Sequence, residues 1–363
     1  MKILLVVDQF EDGGAARVAC TMCNEFKGRG YDIQVVTSTN RESIKYDLEK
    51  EIPLLYAPFR PARRDGLSRF LAMFVTAKHI RKHLKSVKPD VVISIQANSY
   101  IRAWLANRFL GYPLIVADHT SFARRMDFIN TFTRHHLYKY ADGISILTKR
   151  DEKLLGKKYP QKVVIYNPLT WPLLKEKSTR NKTVLAAGRF EIWRIKGFDL
   201  LLTAWGQLSK RFPDWTLQIA GTGTEDNVAT VKALIKSNEV QNSVELLGQV
   251  VDMKTLYSQT GVFALSSRVE GMPMVLLEAM SQGCPCVAFD VGGASTEMLE
   301  NGGGIVVKDG DVEGFQNALS RLMENEDIRE SMSDGAVVSA GHFSVDSFMD
   351  KWIKLINNSI PEK

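Results

Sequence analysis

The chain is built from short, almost uninterrupted apolar runs, each followed by a turn and then by a helical pattern. Residues 2–7 form the first run, and the alternation starts again at residues 183–190. Unbroken apolar runs of this length are typical of parallel strands, which are buried on both faces. Strands that alternate with helices predict a parallel α/β sheet, so the two series predict two doubly wound, Rossmann-like domains. The predicted strands are 2–7, 33–37, 52–56, 91–94, 114–117, 144–148 and 163–166, and then 183–190, 215–220, 244–248, 261–265, 285–290 and 303–307.

The length of 363 residues also favours two domains, because single cores rarely grow this large. The segment Asn167–Pro172 and the polar run at 175–182 predict the linker between them. The predicted domains are residues 1–170 and 171–345. The end of the chain, residues 346–363, is predicted to be a helix that packs back toward the N-terminal domain.

Cysteine usage and the absence of long apolar segments predict the compartment. No run approaches the roughly 18 apolar residues of a membrane span, and Asp8 interrupts the first run too early for a signal peptide. The four cysteines are too few for a disulfide framework in a chain of this length, which fits a reducing cytoplasm. Cys20 and Cys23 fall inside a predicted helix without a second pair of ligands, so we interpret them as packing residues and not as a zinc site.

Charge is distributed unevenly between the two halves. Residues 1–170 contain 28 Lys and Arg against 16 Asp and Glu, whereas the remainder contains 19 against 25. The excess predicts an anionic partner for the first half, either nucleic acid or anionic lipid. No recognition-helix, zinc or base-stacking motif supports nucleic acid. The sequence therefore favours peripheral association with the inner face of the cytoplasmic membrane.

Two basic, aromatic-bearing segments carry much of this excess. One runs through residues 59–88 and contains a predicted helix at 67–84; the other runs through 122–140. An ordinary surface helix packed on the sheet and an interfacial helix against anionic lipid both fit the first pattern. The candidate acceptor- or membrane-facing residues are Arg63, Arg64, Arg69, Arg81, Lys82, Arg124 and Arg125.

The segment 266–280 carries the strongest functional pattern. It follows the apolar strand 261–265, and Pro273 suits the start of a helix. Glu270 is therefore predicted in the loop between strand and helix, where free backbone N–H groups converge, and Glu278 on the helix. Each glutamate alone also fits a solvated surface residue.

Further candidates lie at other strand ends. Gly13 and Gly14 open a helix after the first strand, and Asp118 and His119 follow the fifth. Arg189 and Lys196 flank a strand-to-helix loop where two cations and backbone amides could hold a diphosphate. Asp309-Gly310-Asp311 matches a D-x-D metal pattern, but its position favours turn chemistry.

The order and spacing of these motifs resemble glycosyltransferase family four, whose signature is E-x7-E. The resemblance implies the GT-B architecture of two Rossmann-like domains facing across a cleft, and transfer of a hexose or N-acetylhexosamine from a nucleotide-sugar, most simply UDP-linked. It implies that Glu270, Arg189, Lys196 and His119 are catalytic. The implied donor-binding residues are Gly14, Arg189, Lys196, Gly221, Glu270, Gly271, Met272, Met274, Val275 and Glu278.

The resemblance also implies roles for the chemistry. The two cations neutralise the leaving diphosphate without a metal or other cofactor, Glu278 binds the ribose, and the anomeric configuration is retained. No nucleophile is obvious, which favours front-face attack over a covalent intermediate. The implied acceptor is an undecaprenyl-pyrophosphate-linked saccharide of O-antigen, capsule or exopolysaccharide synthesis; phosphatidylinositol or a free sugar also fits. A nucleotide-sugar epimerase of the same fold and a non-enzymatic polyanion-binding protein are the alternatives.

Overall fold

A computed structural model describes residues 1–8, 10–59, 66–124, 126–159, 161–176 and 178–361, with the backbone alone at 66, 67 and 69. The chain divides into two compact units. Unit 1 contains Met1–Pro168 and Val345–Lys363, and unit 2 contains Leu169–Ser344. Each unit has one parallel sheet, so the predicted pair of doubly wound α/β domains is confirmed.

The sheet of unit 1 is all parallel, with the order β3-β2-β1-β4-β5-β6-β7. The chain winds outward from β1 to one edge and then returns to β4 beside β1. The strands are β1 Lys2–Val6, β2 Asp32–Thr37, β3 Leu54–Tyr56, β4 Val91–Ile95, β5 Leu114–Ala117, β6 Gly143–Ile146 and β7 Lys162–Val164.

The sheet of unit 2 repeats this plan with six strands in the order β10-β9-β8-β11-β12-β13. Its strand order reverses between β8 and β11, which are adjacent and parallel. The strands are β8 Thr183–Ala187, β9 Thr216–Ala220, β10 Val244–Gly248, β11 Val262–Leu265, β12 Cys286–Phe289 and β13 Gly304–Val307.

Helices cover the sheets, and their apolar faces form the cores. In the first helix the apolar residues Val18, Ala19, Met22 and Phe26 are all buried. The described helices are α1 Gly14–Gly28, α2 Gly66–Val87, α3 Gln96–Asn107, α4 Phe128–Phe132, α5 Lys149–Leu155, α6 Phe198–Arg211, α7 Glu225–Ser237, α8 Met253–Gln259, α9 Met274–Ser281, α10 Ala294–Met298, α11 Val312–Glu324, α12 Glu326–Gly341 and α13 Val345–Ser359.

The last helix, α13, packs on the sheet of unit 1. Ser359 Oγ donates to the Asp142 carbonyl at 3.1 Å, at the start of β6. A Cβ on Gly143 would lie 2.7 Å from Ser359 Oγ and 2.9 Å from a methyl group of Leu355. The absence of a side chain at Gly143 therefore lets α13 pack closely on β6, and the Ser359 hydrogen bond holds the end of the chain there.

Candidate active site

The strand-order reversal in unit 2 places two long loops side by side. Ligands of open α/β sheets bind where the order reverses, outside the carboxyl ends of the strands. The loop after β8 contains Arg189 and Lys196, and the loop after β11 contains Glu270. The loop after the neighbouring strand β9 begins at Gly221. Predicted site residues from three separate segments therefore share one edge of the sheet.

Backbone contacts fix the loop that carries Lys196. Ser266 Oγ donates to the Lys196 carbonyl at 2.9 Å, and the Arg268 amide donates to the Ile195 carbonyl at 2.8 Å. Gly197 has φ +67°, and a Cβ there would lie 1.9 Å from the Ser266 carbonyl oxygen. Only glycine permits this approach, because its left-handed backbone and missing side chain are both required.

A second connection between the same loops runs through Arg268. Its guanidinium donates to both carboxylate oxygens of Asp199 at 2.7 Å, in a bidentate pair, and to the Arg194 carbonyl at 2.6 Å. Partial burial favours the protonated form of Asp199, but the hydrogen bonds and charge of Arg268 outweigh it and lower the pKa of this carboxyl. The loops after β8 and β11 are thus tied together at both backbone and side-chain level.

These contacts bring Lys196 against Glu270. Lys196 Nζ donates to Glu270 Oε1 at 2.8 Å, and the two side chains are 17% and 14% exposed. Lys196, predicted to stabilise the leaving group, and Glu270, predicted to bind the sugar, therefore form a mostly buried ion pair. Charge-assisted hydrogen bonds of this kind are strong and fix the orientation of both groups.

Arg189 differs from Lys196 in its surroundings. It lies directly after Gly188 at the end of β8 and is exposed, and its guanidinium makes no hydrogen bond or ion pair with any described residue. A guanidinium in this state is available to an anion without losing an internal partner.

Gly221 allows close packing of two loops, and its backbone amide is already hydrogen-bonded. Its N–H donates to the Gly248 carbonyl at 2.9 Å. A Cβ on Gly221 would lie 1.9 Å from the Gly188 carbonyl oxygen, so glycine lets the loops after β8 and β9 approach each other. A direct contact between Gly221 and a donor stays a prediction.

The segment between the two glutamates leads into α9. Pro273 is the N-cap residue and the helix begins at Met274. The helix therefore begins one residue later than it would if Pro273 were its first residue, the position that proline favours. No acidic side chain lies in the first turn, so the positive end of the helix dipole is not neutralised there. Gly271, Met274 and Val275 are half-buried and Met272 is buried.

Glu278 is buried, with 6% of its surface exposed. This contradicts the interpretation as a solvated helix residue. A carboxylate is rarely buried to this degree unless it has a partner or a function.

Gly14 and His119 lie in unit 1. Gly14 is the first residue of α1; Gly13 before it has φ +94°, and its N–H donates to Asp12 Oδ1 at 2.7 Å. The first turn of α1 also contains no acid. The predicted phosphate contact of the Gly14 amide stays a prediction.

His119 follows the end of β5, and burial is the main influence on its imidazole. Burial lowers the pKa of His119, while the charge of Asp118 and a hydrogen bond with Asn167 oppose the shift. Nδ1 is buried and has no hydrogen-bond partner among the described residues. One ring nitrogen is therefore left for a ligand.

Asp118, beside His119, is the centre of a buried network that the sequence did not reveal. Arg134 Nε and Nη2 donate to the two Asp118 oxygens at 2.8 and 2.7 Å, and Tyr138 Oη donates to Oδ2 at 2.8 Å. Arg134 also donates to the carbonyls of Thr120 and Ser121. Counting Arg134 in a lipid-facing basic segment was therefore wrong, because its guanidinium is 4% exposed and holds the loop at His119.

The remaining basic candidates divide into three groups. Lys82 and Arg124 are exposed. Arg81 Nη1 donates to the carbonyls of Ala106 and Arg108 at 2.8 and 2.7 Å, so this nitrogen caps the end of α3. The predictions for Arg63, Arg64, Arg125 and the side chain of Arg69 fall outside the described residues.

Several other features concern metals and membranes. Asp311 Oδ1 accepts from the Gly314 amide at 2.9 Å and caps α11, which is the predicted turn chemistry. Among the described residues, His, Cys, Asp and Glu form no group of three or more suited to a metal ion, and metal independence stays a prediction. Burial raises the pKa of Cys20 to about 12, as expected of a packed thiol.

None of the described helices combines the length and apolar character needed to span a bilayer.

Two family models match the chain. Glycosyltransferase Family 4 matches residues 12–169, and Glycosyl transferases group 1 matches residues 181–325. The two matches correspond to the two sheets and together cover most of the sequence.

Curated relatives cover nearly the whole chain. The amylovoran biosynthesis glycosyltransferase AmsD of Erwinia amylovora is 26% identical over 98% of this chain and 99% of its own. The GalNAc-α-(1→4)-GalNAc-α-(1→3)-diNAcBac-PP-undecaprenol α-1,4-N-acetyl-D-galactosaminyltransferase of Campylobacter jejuni is 27% identical over 98% of each chain.

Among solved structures, Anabaena HepE in complex with UDP-glucose superposes with a TM-score of 0.80 and 18% identity, covering 98% of this chain and 99% of that one. This likeness shows the fold, and the family models show the class of enzyme. The chain belongs to the glycosyltransferases of the GT-B fold, with a family 4 domain followed by a group 1 domain.

Proposed function

We propose that the protein transfers a hexose or N-acetylhexosamine, with retention of configuration, from a UDP-sugar to an undecaprenyl-pyrophosphate-linked saccharide in bacterial surface polysaccharide synthesis, such as O-antigen, capsule or exopolysaccharide. Two relatives support this assignment: one is named for amylovoran biosynthesis and the other for a lipid-linked saccharide acceptor. HepE, with the same fold, binds UDP-glucose.

The observation that carries the proposal is the Lys196–Glu270 pair beside Arg189. At 2.8 Å the pair holds the ammonium in place at the carboxyl ends of the strands, while Arg189 is exposed and available. This arrangement suits a diphosphate, which needs cations that are oriented before it arrives.

The proposed chemistry follows from the charge that develops during transfer. The bond between the anomeric carbon and the diphosphate oxygen breaks, and negative charge grows on that oxygen. Arg189 and Lys196 stabilise this charge more in the transition state than in the ground state. The acceptor hydroxyl attacks the anomeric carbon from the same face, and its proton passes to the departing phosphate oxygen. No metal or other cofactor takes part in this scheme.

The carboxylates and the unit 1 residues orient the donor. We assign Glu270, with the amides that follow it, to the hydroxyls of the donor sugar, and Glu278 to the ribose. His119 contacts the far side of the sugar through the imidazole whose Nδ1 has no described partner. The Gly14 amide contacts a phosphate at the start of α1, where backbone N–H groups favour anions.

An exposed apolar surface on α2 supports peripheral association with the membrane. Phe70, Leu71, Phe74 and Val75 are between 47% and 55% exposed. Exposed lysines follow on the same helix, including Lys82. Apolar side chains with neighbouring cations are typical of an interfacial helix, so we assign this surface to the anionic inner leaflet that carries the acceptor.

Donor assays test the function and separate the alternatives. With UDP-sugars and no acceptor, a transferase hydrolyses the donor slowly at most, whereas an epimerase isomerises it. A UDP-sugar that raises the unfolding temperature identifies the donor, because a ligand of the native state stabilises it by mass action. Transfer that persists in EDTA would support metal independence. Sedimentation with anionic vesicles, without retention on duplex DNA, would exclude a general polyanion-binding protein.

A further inference from the structure

Unit 1 contains an open cavity of about 300 Å³ that no predicted donor, catalytic or membrane residue lines. It lies where β2 and β3 end. The end of β2 and the turn after it supply Thr37, Thr39, Asn40 and Glu42, and β3 supplies Tyr56. The cavity therefore opens at the carboxyl ends of two parallel strands, and its volume lies at the lower end of the range for ligand pockets.

The hydroxyl of Thr39 is the most unusual polar group of this cavity. Thr39 is 6% exposed, and its Oγ1 is buried without a hydrogen-bond partner among the described residues. The backbone is fixed here, because the Thr39 amide donates to Thr37 Oγ1 at 3.2 Å. A buried hydroxyl without a partner is costly, and a ligand hydroxyl that pairs with it removes that cost.

The charges that line the cavity give no preference for an anionic ligand. The guanidinium of Arg41 donates to the carbonyls of Leu48 and Glu49, at 3.3 and 3.1 Å, and to that of Ile52, so its donors hold the following segment. The carboxylate of Glu42 is exposed and makes no hydrogen bond or ion pair with the described part of the chain. The cavity therefore carries one positive and one negative charge and has no excess of positive charge to attract phosphate, while the carboxylate of Glu42 can accept hydrogen bonds from hydroxyl groups.

Tyr56 adds an aromatic surface. Tyr56 is 61% exposed. Its backbone is fixed, because His83 Nε2 donates to the Tyr56 carbonyl at 2.9 Å. An exposed aromatic ring beside hydroxyl, amide and carboxylate groups suits a pyranose, which has an apolar C–H face and a rim of hydroxyls.

We propose that this cavity is a subsite for a neutral saccharide unit of the acceptor. The subsite rests on the proposed function, because the acceptor is the substrate that carries such a unit. The residues that line the cavity contribute to recognition of the acceptor and take no part in the chemical step. Thr39 and Glu42 bind the hydroxyls of the unit, and Tyr56 packs against its face.

The test measures binding of neutral saccharides to the full-length protein by saturation-transfer NMR. The probes are methyl α-N-acetylgalactosaminide, N-acetyllactosamine and maltose, with inorganic pyrophosphate as an anionic competitor. Thr39→Val and Glu42→Gln should each raise the dissociation constant of the best saccharide by about 2- to 10-fold, the effect of one lost hydrogen bond. Tyr56→Ala should also raise it, because the aromatic surface that packs against the sugar is lost. Glu51→Gln is the matched control, since Glu51 is exposed and does not line the cavity.

Thr39→Val also separates binding from folding. It removes a hydroxyl that has no partner, so the unfolding temperature should be unchanged or higher while saccharide affinity falls. Failure of wild type to bind any of the three saccharides at about 20 mM, a range that covers millimolar dissociation constants, would overturn the subsite. Equal affinity in all variants, or displacement of the saccharide by pyrophosphate, would do the same. UDP-sugar stabilisation measured in parallel shows whether such a failure belongs to the subsite alone or to the proposed function.

Discussion

Replacing Lys196 by methionine tests the proposed site most directly. The substitution keeps much of the side-chain length but removes the ammonium that Glu270 Oε1 holds at 2.8 Å. If that ammonium stabilises the charge on the leaving diphosphate, its loss should lower kcat by about 100- to 1000-fold, as for other preorganised electrostatic groups. The KM for the donor should change much less, because the interaction is strongest in the transition state.

The same substitution has a calculable effect on stability. Exposed ion pairs contribute about 0–1 kcal/mol, and breaking a fully buried one costs about 3–5 kcal/mol. The Lys196–Glu270 side chains are 17% and 14% exposed, which places them between these limits. Lys196→Met should therefore destabilise the protein by about 1–2 kcal/mol, since the carboxylate of Glu270 loses its partner. A loss of this size leaves the protein folded in the assay.

The measurement is steady-state release of UDP together with urea unfolding, for Lys196→Met, Glu270→Gln and the double variant. Because the two groups act as a unit, the double variant should lose less activity than the product of the single losses. Lys232→Met is the control, because Lys232 is exposed on α7. A kcat within about threefold of wild type, or an equal loss in the control, would refute the assignment of Lys196 to the leaving group.

Three further predictions concern the framework of the two units. Gly197→Ala should destabilise unit 2 more than Gly248→Ala in urea unfolding. Both glycines have positive φ, which costs about 1–2 kcal/mol for alanine. Of these two positions, only Gly197 would place a Cβ against a backbone oxygen, at 1.9 Å. Arg134→Met should cost about 3–5 kcal/mol in the same assay, because it leaves the Asp118 carboxylate buried without its cation; an effect below about 1 kcal/mol would contradict the role of this pair. Burial lowers the pKa of His119 below its ordinary value of 6.5, so the folded state favours the neutral imidazole. The stability that the neutral imidazole contributes is therefore present above pH 6.5 and is lost as the pH falls through the pKa of the folded state. His119→Gln should flatten the pH dependence of the unfolding temperature in that range, and an unchanged profile would contradict this.

The sheets were predictable because their strands are short apolar runs without alternation. That pattern also predicted which residues follow each strand, and the parallel arrangement then placed Arg189 and Lys196 at the edge that carries Glu270. The helix α3 was missed, since it begins at Gln96 in a left-handed conformation directly after β4. The helix α12 was also missed; it carries little amphipathic pattern. Local patterns predict elements whose packing is regular, and they fail where tertiary contacts set the boundary.

The pairing of charges was not predictable from the sequence. Arg134 lies among histidines and a lysine and reads as part of a solvated basic surface, but it is buried because Asp118 lies opposite it. Lys196 and Glu270 are 74 residues apart, and only the loop contacts through Ser266 and Arg268 bring them together. Burial of a charge depends on its partner, and partners distant in sequence leave no local pattern.

If Lys196 and Glu270 act as proposed, their ion pair also explains how a strongly cationic site avoids holding its product too tightly. A free ammonium at this position would bind the diphosphate of the donor and the released nucleotide equally well, which lowers KM without raising kcat. With Glu270 Oε1 at 2.8 Å, a phosphate oxygen must compete with an existing charge-assisted hydrogen bond, so the gain is small until negative charge grows on the departing oxygen. Glu270 thereby shifts the effect of the cation toward the transition state. Under this reasoning Glu270→Gln should tighten binding of UDP, measured by calorimetry, while kcat falls.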